Sequence, residues 1–479
     1  MKSLARTALT LALALAGLTP VHGADQTILG KSLKIGNPMA TDATKRRVSV
    51  NGSGAGSAIT LSGDPVGPAN SSGAMLTIAT TGATPTTQTF VLGQGTASNG
   101  KPFWTLKSPS GWSYSDPKGE QGPVKSLRFV IANSGKVTLK AAISGKGGAV
   151  DVLPPNPGTG ASLTFGVTGS DDRFCVQFGA DGKIGKNDAK GFTIGKVTLE
   201  GCPASVSGDF LALSYNVAGL PEGLSGSNPS VNTPLIAPLL NGYDLVLMQE
   251  TWKTPDPNPL APTRVYHEIL EAASLHRFKS VSKPLPLGND PFRPSALVSD
   301  GLNQFSRFPF GSLAREPWTN CWTSAADCAA TKGFSMARTT FAPGVVVDVY
   351  NLHNEAGGDP EDDVIRDADI TQLSNFIQTN SAGRAVIVGG DFNLHTDGEP
   401  DSTQFNRLLS ETGLTDVCAA LSCPSPGRID KFLFRSTAQL TLAPQSWHFE
   451  TDVFERFDGQ PLSDHDALAV RFGWMVTAE

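Results

Sequence analysis

Two hydrophobic rhythms divide this chain, and the switch between them near Phe210 limits the folds open to it. Before the switch, apolar residues come in short alternating runs such as RRVSVNG, AMLTIATTG, SLRFVIANSGKVTLKAAISG, SLTFGVTG and FTIGKVTLEG, each closed by Asn, Gly or Ser. Alternation with period two suits a strand with one buried face, and the closing residues suit tight turns. Residues 24–205 are therefore expected to form an all-β sandwich or barrel. After the switch, apolar strand-like runs (FLALSYNVAG, YDLVLMQE, VVVDVYNLH, RAVIVGGDFN) are separated by helix-compatible stretches. In DVIRDADITQLSNFIQ, Val364, Ile365, Ile370, Leu373, Phe376 and Ile377 recur close to the 3.6-residue period of an amphipathic helix. Strands interleaved with helices imply a layered α/β or α+β domain over 206–479, with GCPASVSGD at 201–209 as the linker.

The length of 479 residues suits two or three domains. Residues 1–23 read as a secretory signal: basic Lys2 and Arg6, an apolar stretch through Leu18, and Val21 and Gly23 placed for cleavage near Gly23–Ala24. The apolar run is shorter than the ~20 residues that span a bilayer, so the mature protein is expected to be soluble and exported, extracellular or periplasmic. An oxidising compartment favours pairing of the six cysteines. Proximity suggests Cys175–Cys202, Cys321–Cys328 and Cys418–Cys423, one connectivity among many, and no spacing resembles the CxxC pairs of a zinc site.

The net charge of −6 hides an asymmetry: residues 1–205 carry 20 basic against 11 acidic side chains, the remainder 18 against 33. A basic half suits an anionic surface, whereas an acidic half is a poor general platform for nucleic acid unless its charge serves a metal site. No His/Asp/Glu constellation occurs in 24–205, which leaves that half an accessory role in attachment, secretion or stability.

The C-terminal half carries polar residues where its strands should end. LSYNVAGLP offers Asn216, LVLMQETW Glu250, VYNLHNEAG His353, and VGGDFN Asp391 and Asn393; later, RIDKFLFR offers Asp430 and LSDHDALAV Asp464 and His465. A single polar residue after a strand is usually a cap or turn. Six such segments in order are hard to produce by chance.

On these residues, N…QE…H…GDxN…D…SDH, the half from about Phe210 onward resembles the endonuclease/exonuclease/phosphatase superfamily, which includes pancreatic deoxyribonuclease, abasic-site endonucleases, inositol-polyphosphate phosphatases and secreted bacterial sphingomyelinases. The resemblance does not extend to 24–205. It implies a four-layered sandwich, two β-sheets packed face to face between helices, with the site at one end. It also implies hydrolysis of a phosphate ester with a divalent cation, usually Mg²⁺ or else another such as Mn²⁺. Hard oxygen ligands suit that ion, so Glu250 is the leading metal ligand, with Asn216 and Asp464 contributing. By the family's motif, Asp391 is the base that holds the attacking water, and Asn393 holds a phosphoryl oxygen or the water. His353 matches the position that contacts the phosphoryl group and can protonate the leaving oxygen; His465 sits opposite with Asp430 fixing its tautomer. Which histidine is the acid stays open. His267, His276, His395 and His448 are read as structural. One departure stands out: Lys431 occupies a position that is often aromatic in the family.

For the substrate, DLVLMQETW, DGLNQFSRFP, TKGFSMARTTF and YNLHNEAG…IRDADITQL follow the segment order of the secreted sphingomyelinase-like branch, which implies a phosphodiester, with a phospholipid head group first. Trp318 and Trp322 then read either as a loop dipping into a lipid interface or as core. An extracellular nuclease of broad specificity is the alternative, for which Arg338, Arg366, Arg428, Lys431 and Arg435 would supply cleft charge. A non-catalytic binding protein on the same fold is the third reading.

Overall fold

The computed structural model describes residues 25–477 apart from 56–58, 60, 62, 67–72, 83–84, 109, 171–172, 204, 223, 253–265, 285–289, 291–292, 324–326 and 426. The expected signal peptide and its cleavage point lie outside the described residues.

The alternating N-terminal runs form two sheets packed face to face, a sandwich rather than a barrel. One is five-stranded, in the order Asp25–Thr27, Arg173–Phe178, Gly160–Val167, Ala74–Thr81, Thr86–Leu92. The other is eight-stranded, in the order Lys183–Asp188, Gly191–Gly195, Gly30–Gly36, Arg47–Ala55, Lys136–Ser144, Val124–Ile131, Ser110–Ser115, Trp104–Leu106. Strand Lys136–Ser144 illustrates the cause: Val137, Leu139, Ala141 and Ile143 are buried while Lys136 and Lys140 face solvent. Between the sheets, Phe129, Phe165 and Phe174 stack with centroids 4.6–5.8 Å apart. Each such ring contributes about 1.5–3 kcal/mol by leaving water.

The C-terminal half holds two six-stranded sheets. The first runs Phe278–Lys279, Asn303–Ser306, Leu245–Gln249, Ser205–Asn216, Leu468–Thr477, Leu440–Phe449; the second runs Ala314–Pro317, Gly333–Ala342, Val345–His353, Ala385–Asp391, Asp430–Arg435, Thr415–Asp416. Leu247, Val349, Ile387, Phe432 and Phe472 fill the space between them. Ile236 and Leu270, from helices Pro229–Leu239 and Tyr266–Ala273, cover the first sheet, and Leu373, Ile377 and Leu408, from helices Pro360–Asn380 and Asp401–Thr412, cover the second. Helix, sheet, sheet, helix is the expected four-layered sandwich.

Two local readings change. Strand Ser205–Asn216 begins inside the stretch read as linker and pairs without a break from Ser205↔Thr477 to Ser214↔Leu468. In helix Pro360–Asn380, opened by an Asp359/Asp362 capping box, Val364 is exposed. The first turns bury Asp362, Arg366 and Asp369 instead, because Arg366 pairs with Asp363 and, at 3.4 Å, with Asp401 of the neighbouring helix. The three disulfides pair as proximity suggested, Cys175–Cys202, Cys321–Cys328 and Cys418–Cys423. Among the described residues no helix is long and apolar enough to cross a membrane.

Candidate active site

Strand register alone brings the candidate residues together. Ser205–Asn216 and Leu245–Gln249 run parallel with Asn216 opposite Gln249, so both strands end at the same edge. In the second sheet His353 lies opposite Asp391, and Asp391 opposite Asp430. Directly opposed residues share a face of a sheet, so these three side chains form one row. Two residues below, Asn351, Gly389 and Phe432 form the next row of that face, and a Cβ on Gly389 would lie 2.8 Å from Leu247 of the first sheet. The row therefore faces the space between the sheets.

Local backbone aims it. Gly390 has φ +153° and a Cβ there would sit 2.2 Å from Leu352 O, so only glycine brings the strand to Asp391 in this shape. Glu250 (φ +57°) and Asn393 (φ +48°) are left-handed although neither is glycine. Such strain costs of order 1 kcal/mol each and gathers where side chains must be aimed. Beneath the row, Gln249 Nε2 donates to Asn351 Oδ1 (2.6 Å) and Asn351 Nδ2 donates to Met248 O (2.9 Å) and Asn303 O (3.2 Å). This buried amide network locks the ends of the two sheets against each other.

His465 Nδ1 donates to Asp430 Oδ2 at 2.8 Å, and its Nε2 lies 3.6 Å from Asp391 Oδ2. Burial opposes a charge on this imidazole, but the hydrogen bond and charge of Asp430, with Asp391 and Asp464, overcome it and raise its pKa to about 10. His353, almost fully buried, has Nε2 3.4 Å from Asp391 Oδ2. Burial, then the positive charges of Lys332 and His465, hold its pKa well below the usual value. One histidine is a cation and the other neutral. Burial and then the charge of Asp430 raise the Asp391 pKa. Asn393 N–H donates to Asp391 Oδ1 (3.1 Å), and Asn393 Nδ2 donates to Asn354 O (3.2 Å).

Asn216 Nδ2 donates to both Glu250 Oε1 (3.0 Å) and Asp391 Oδ2 (3.2 Å), while its Oδ1 accepts from Ala218 N–H (3.1 Å). The amide nitrogen, not the oxygen, faces the carboxylates. Burial raises the Glu250 pKa, and the charges of Asp391 and Asp464 add to it; Lys332 is the cation that offsets them. Asp464 itself is exposed. A strained, partly buried carboxylate held among other carboxylates at a solvent-open edge is short of positive charge, and hard oxygen donors match Mg²⁺ or Mn²⁺. The residues present therefore fit a divalent cation. Asp391, Asp430 and His465 also present atoms within 4.8 Å of one another, but both nitrogens of His465 are turned to carboxylates, which favours a proton over a metal ion there.

Two contributors escaped sequence reading. Lys332 is buried, paired with Asp327, and its charge reaches Glu250, Asp391 and His353. Ser463 Oγ donates to Asn216 O (2.7 Å) and so fastens the Asp464–His465 loop to the first strand end. A lone lysine opening a strand carries no distinguishing signal; the serine was visible within SDH. Trp318 is core: it packs on Phe334 at 5.2 Å and donates Nε1–H to His353 O (2.8 Å). Trp322 is half-buried, and its backbone N–H donates to Glu355 Oε1 (2.6 Å). Among the described residues the wholly exposed aromatic is Phe457, in the turn before Ser463. The five cleft cations are engaged elsewhere: Arg338 with Asp348, Arg366 with Asp401, Arg428 over Trp447, buried Lys431 with Thr396, Arg435 with the carbonyls of Thr412 and Ser381. His276 is bonded within the core, and His267, His395 and His448 also stand outside the site's contacts.

The endonuclease/exonuclease/phosphatase family model matches residues 213–465. Curated relatives described as sphingomyelinase, from Mycobacterium tuberculosis and Mycobacterium bovis, are 33% identical over 354 residues, 68% of this chain and 65% of their own. The match thus spans just under two thirds of those relatives. It also covers more of this chain than 206–479 holds, so part of the N-terminal half is shared with them. Among solved structures, sphingomyelinase C from Streptomyces griseocarneus overlaps 55% of this chain and 99% of its own at 16% identity, with a TM-score of 0.40.

Proposed function

Because the chain belongs to the endonuclease/exonuclease/phosphatase family, we propose that it hydrolyses phosphodiesters by in-line attack of water, with sphingomyelin-like lipids as substrate. The observation that carries this reading is the row His353–Asp391–Asp430 closed by His465. Asp391, its basicity raised by burial, takes the proton from the attacking water as the new P–O bond forms. His465 gives its proton to the leaving oxygen as the old P–O bond breaks. Its contact with Asp391 Oδ2 then returns the proton from base to acid. Neutral His353 donates a hydrogen bond to a phosphoryl oxygen, and Asn393 orients water or phosphate. Glu250 and Asp464 would hold the cation, with Asn216 setting the spacing between Glu250 and Asp391. When bound, Mg²⁺ or Mn²⁺ supplies neutralisation of phosphoryl charge.

The lipid preference rests on the relatives described as sphingomyelinase and on Phe457, an apolar tip in the turn that leads to the site. The engagement of all five arginine and lysine candidates weighs against the nuclease reading. Three disulfides support export, and residues 24–205 are taken as an accessory domain beside the catalytic 206–479. The test offers mature protein with Mg²⁺ sphingomyelin vesicles and linear DNA in parallel, with Asp391→Ala as control. Phosphocholine release without strand cleavage supports the proposal. DNA cleavage alone replaces the lipid with nucleic acid, and neither product ends the hydrolase reading.

A further inference from the structure

Charge in the N-terminal half is sorted by sheet. The eight strands of the larger sheet contain nine lysines and arginines and one carboxylate, Asp188. The described strands of the five-stranded sheet hold one of each sign, Asp25 and Arg173, paired at 2.9 Å. Burial of both faces of its central strands accounts for the scarcity of charge on the five-stranded sheet, so what marks the larger sheet is the sign of its charge, nine cations against one carboxylate. On the larger sheet the register sets Lys186, Thr193, Lys34, Ser49, Ala142 and Ser126 in one row. The next row carries Asn51, Lys140 and Arg128. In the first row the cations are separated by small side chains, and in the second Lys140 and Arg128 are neighbours. At one side the face deepens into a groove of about 900 Å³ that takes in Lys34, Lys45, Arg47, Lys125, Lys146 and Lys190 and has no carboxylate in its lining. None of these six makes an ion pair among the described residues, and all but Lys125 are exposed.

From this face we infer a docking surface for an anionic phospholipid bilayer, separate from the candidate active site. The halves touch mainly at the five-stranded sheet, where Gly169 N–H, just past one of its strands, donates to Thr340 Oγ1 (3.0 Å) and Arg277 donates to Val91 O (3.3 Å) of its edge strand; Arg277 also reaches Gln121 Oε1 (3.3 Å), in the turn between two strands of the larger sheet. None of the six groove cations takes part in these contacts. An array of cations with no carboxylate in its groove matches a layer of anionic head groups, each cation near the surface adding attraction. Nucleic acid fits less well. No aromatic side chain is exposed among the described residues of this half, so bases have nothing to stack on, and no helix is offered to a groove.

The full chain carrying Asp391→Asn, so that hydrolysis does not intervene, is sedimented with vesicles of phosphatidylcholine alone and of phosphatidylcholine mixed with phosphatidylglycerol. Binding to the mixed vesicles alone, weakened by added salt, is expected. Lys34→Gln, Arg47→Gln and Lys190→Gln together should reduce the partition coefficient on the order of a hundredfold, while Lys34→Arg, Arg47→Lys and Lys190→Arg change it by no more than about twofold. All these positions are exposed, and the arm comparing the two vesicles on the unaltered face does not depend on any variant folding. Equal binding to both vesicles, unchanged binding by the glutamine variant, or capture by heparin and duplex DNA without capture by anionic vesicles would each overturn the assignment. None of these outcomes depends on which ester the active site cleaves.

Discussion

Replacing Asp430 by asparagine should move the whole pH profile of turnover toward acid. The Asp430–His465 contact is a buried, charge-assisted hydrogen bond of 2.8 Å. Such a bond is worth about 1.5–3 kcal/mol, and 1.36 kcal/mol corresponds to one pKa unit, so the alkaline limb, set by His465 near 10, should fall by about 1–2 units. The sign follows from charge. His465 acts while protonated, and removal of the anion that favours the imidazolium lowers the pH at which the proton is lost. The acid limb should shift the same way, because the charge of Asp430 helps raise the Asp391 pKa. Both limbs belong to the coupled Asp391–His465 pair. Loss of the same interaction from the transition state should lower kcat by roughly tenfold to a hundredfold. The assay is kcat against pH on a soluble chromogenic phosphodiester at fixed Mg²⁺. A fall in kcat with both limbs unmoved would mean that Asp430 only packs against the ring, and unchanged kcat would remove it from the reaction.

Asp391→Asn should abolish turnover by orders of magnitude while melting at the same or a higher temperature near neutral pH. The buried carboxyl has a raised pKa, so its ionised form costs folding free energy above that pKa, and the amide removes the cost; a clearly lower melting temperature would contradict this. EDTA should stop activity and Mg²⁺ restore it, and Mg²⁺ should raise the melting temperature of the parent protein but not of Glu250→Gln. Equal metal-induced shifts in both would take Glu250 out of the ligand set. Trp318→Ala should cost about 3–5 kcal/mol in urea unfolding, since it empties a buried indole site and orphans His353 O. Phe457→Ala should leave stability unchanged and reduce turnover on vesicles several-fold but not on a soluble substrate, and equal loss on both would end its interfacial role.

Much of the site was legible because its residues occupy strand ends, and a strand end can be read from a local pattern: an apolar run followed by Asn216, Glu250, His353 or Asp391. Helix Pro360–Asn380 was legible by period, yet Val364 was misplaced, since the partner of its first turns is Arg366–Asp401, a pair made across two helices. Which of the two readings of Trp318 holds, and whether the five arginine and lysine candidates face a cleft, was illegible for the same reason. An aromatic or a cation looks identical in sequence whether it serves a cleft or a neighbouring carbonyl.

Hydrophobic period and turn chemistry act over a few residues, so the chain by itself determined the two halves, the strands and the set of polar strand ends, while the four-layered class came from the family resemblance that those strand ends carry. The sorting of charge onto one N-terminal sheet, the pairing of Asn216 with both Glu250 and Asp391, and the approach of Lys332 depend on residues far apart in the chain. So do the opposite protonation states of His353 and His465. Those two are both histidines after a strand or a turn, and what separates them is burial beside cations in one case and contact with Asp430 in the other. Electrostatic environment is a property of three-dimensional distance, and only the packed sheets bring those charges within reach.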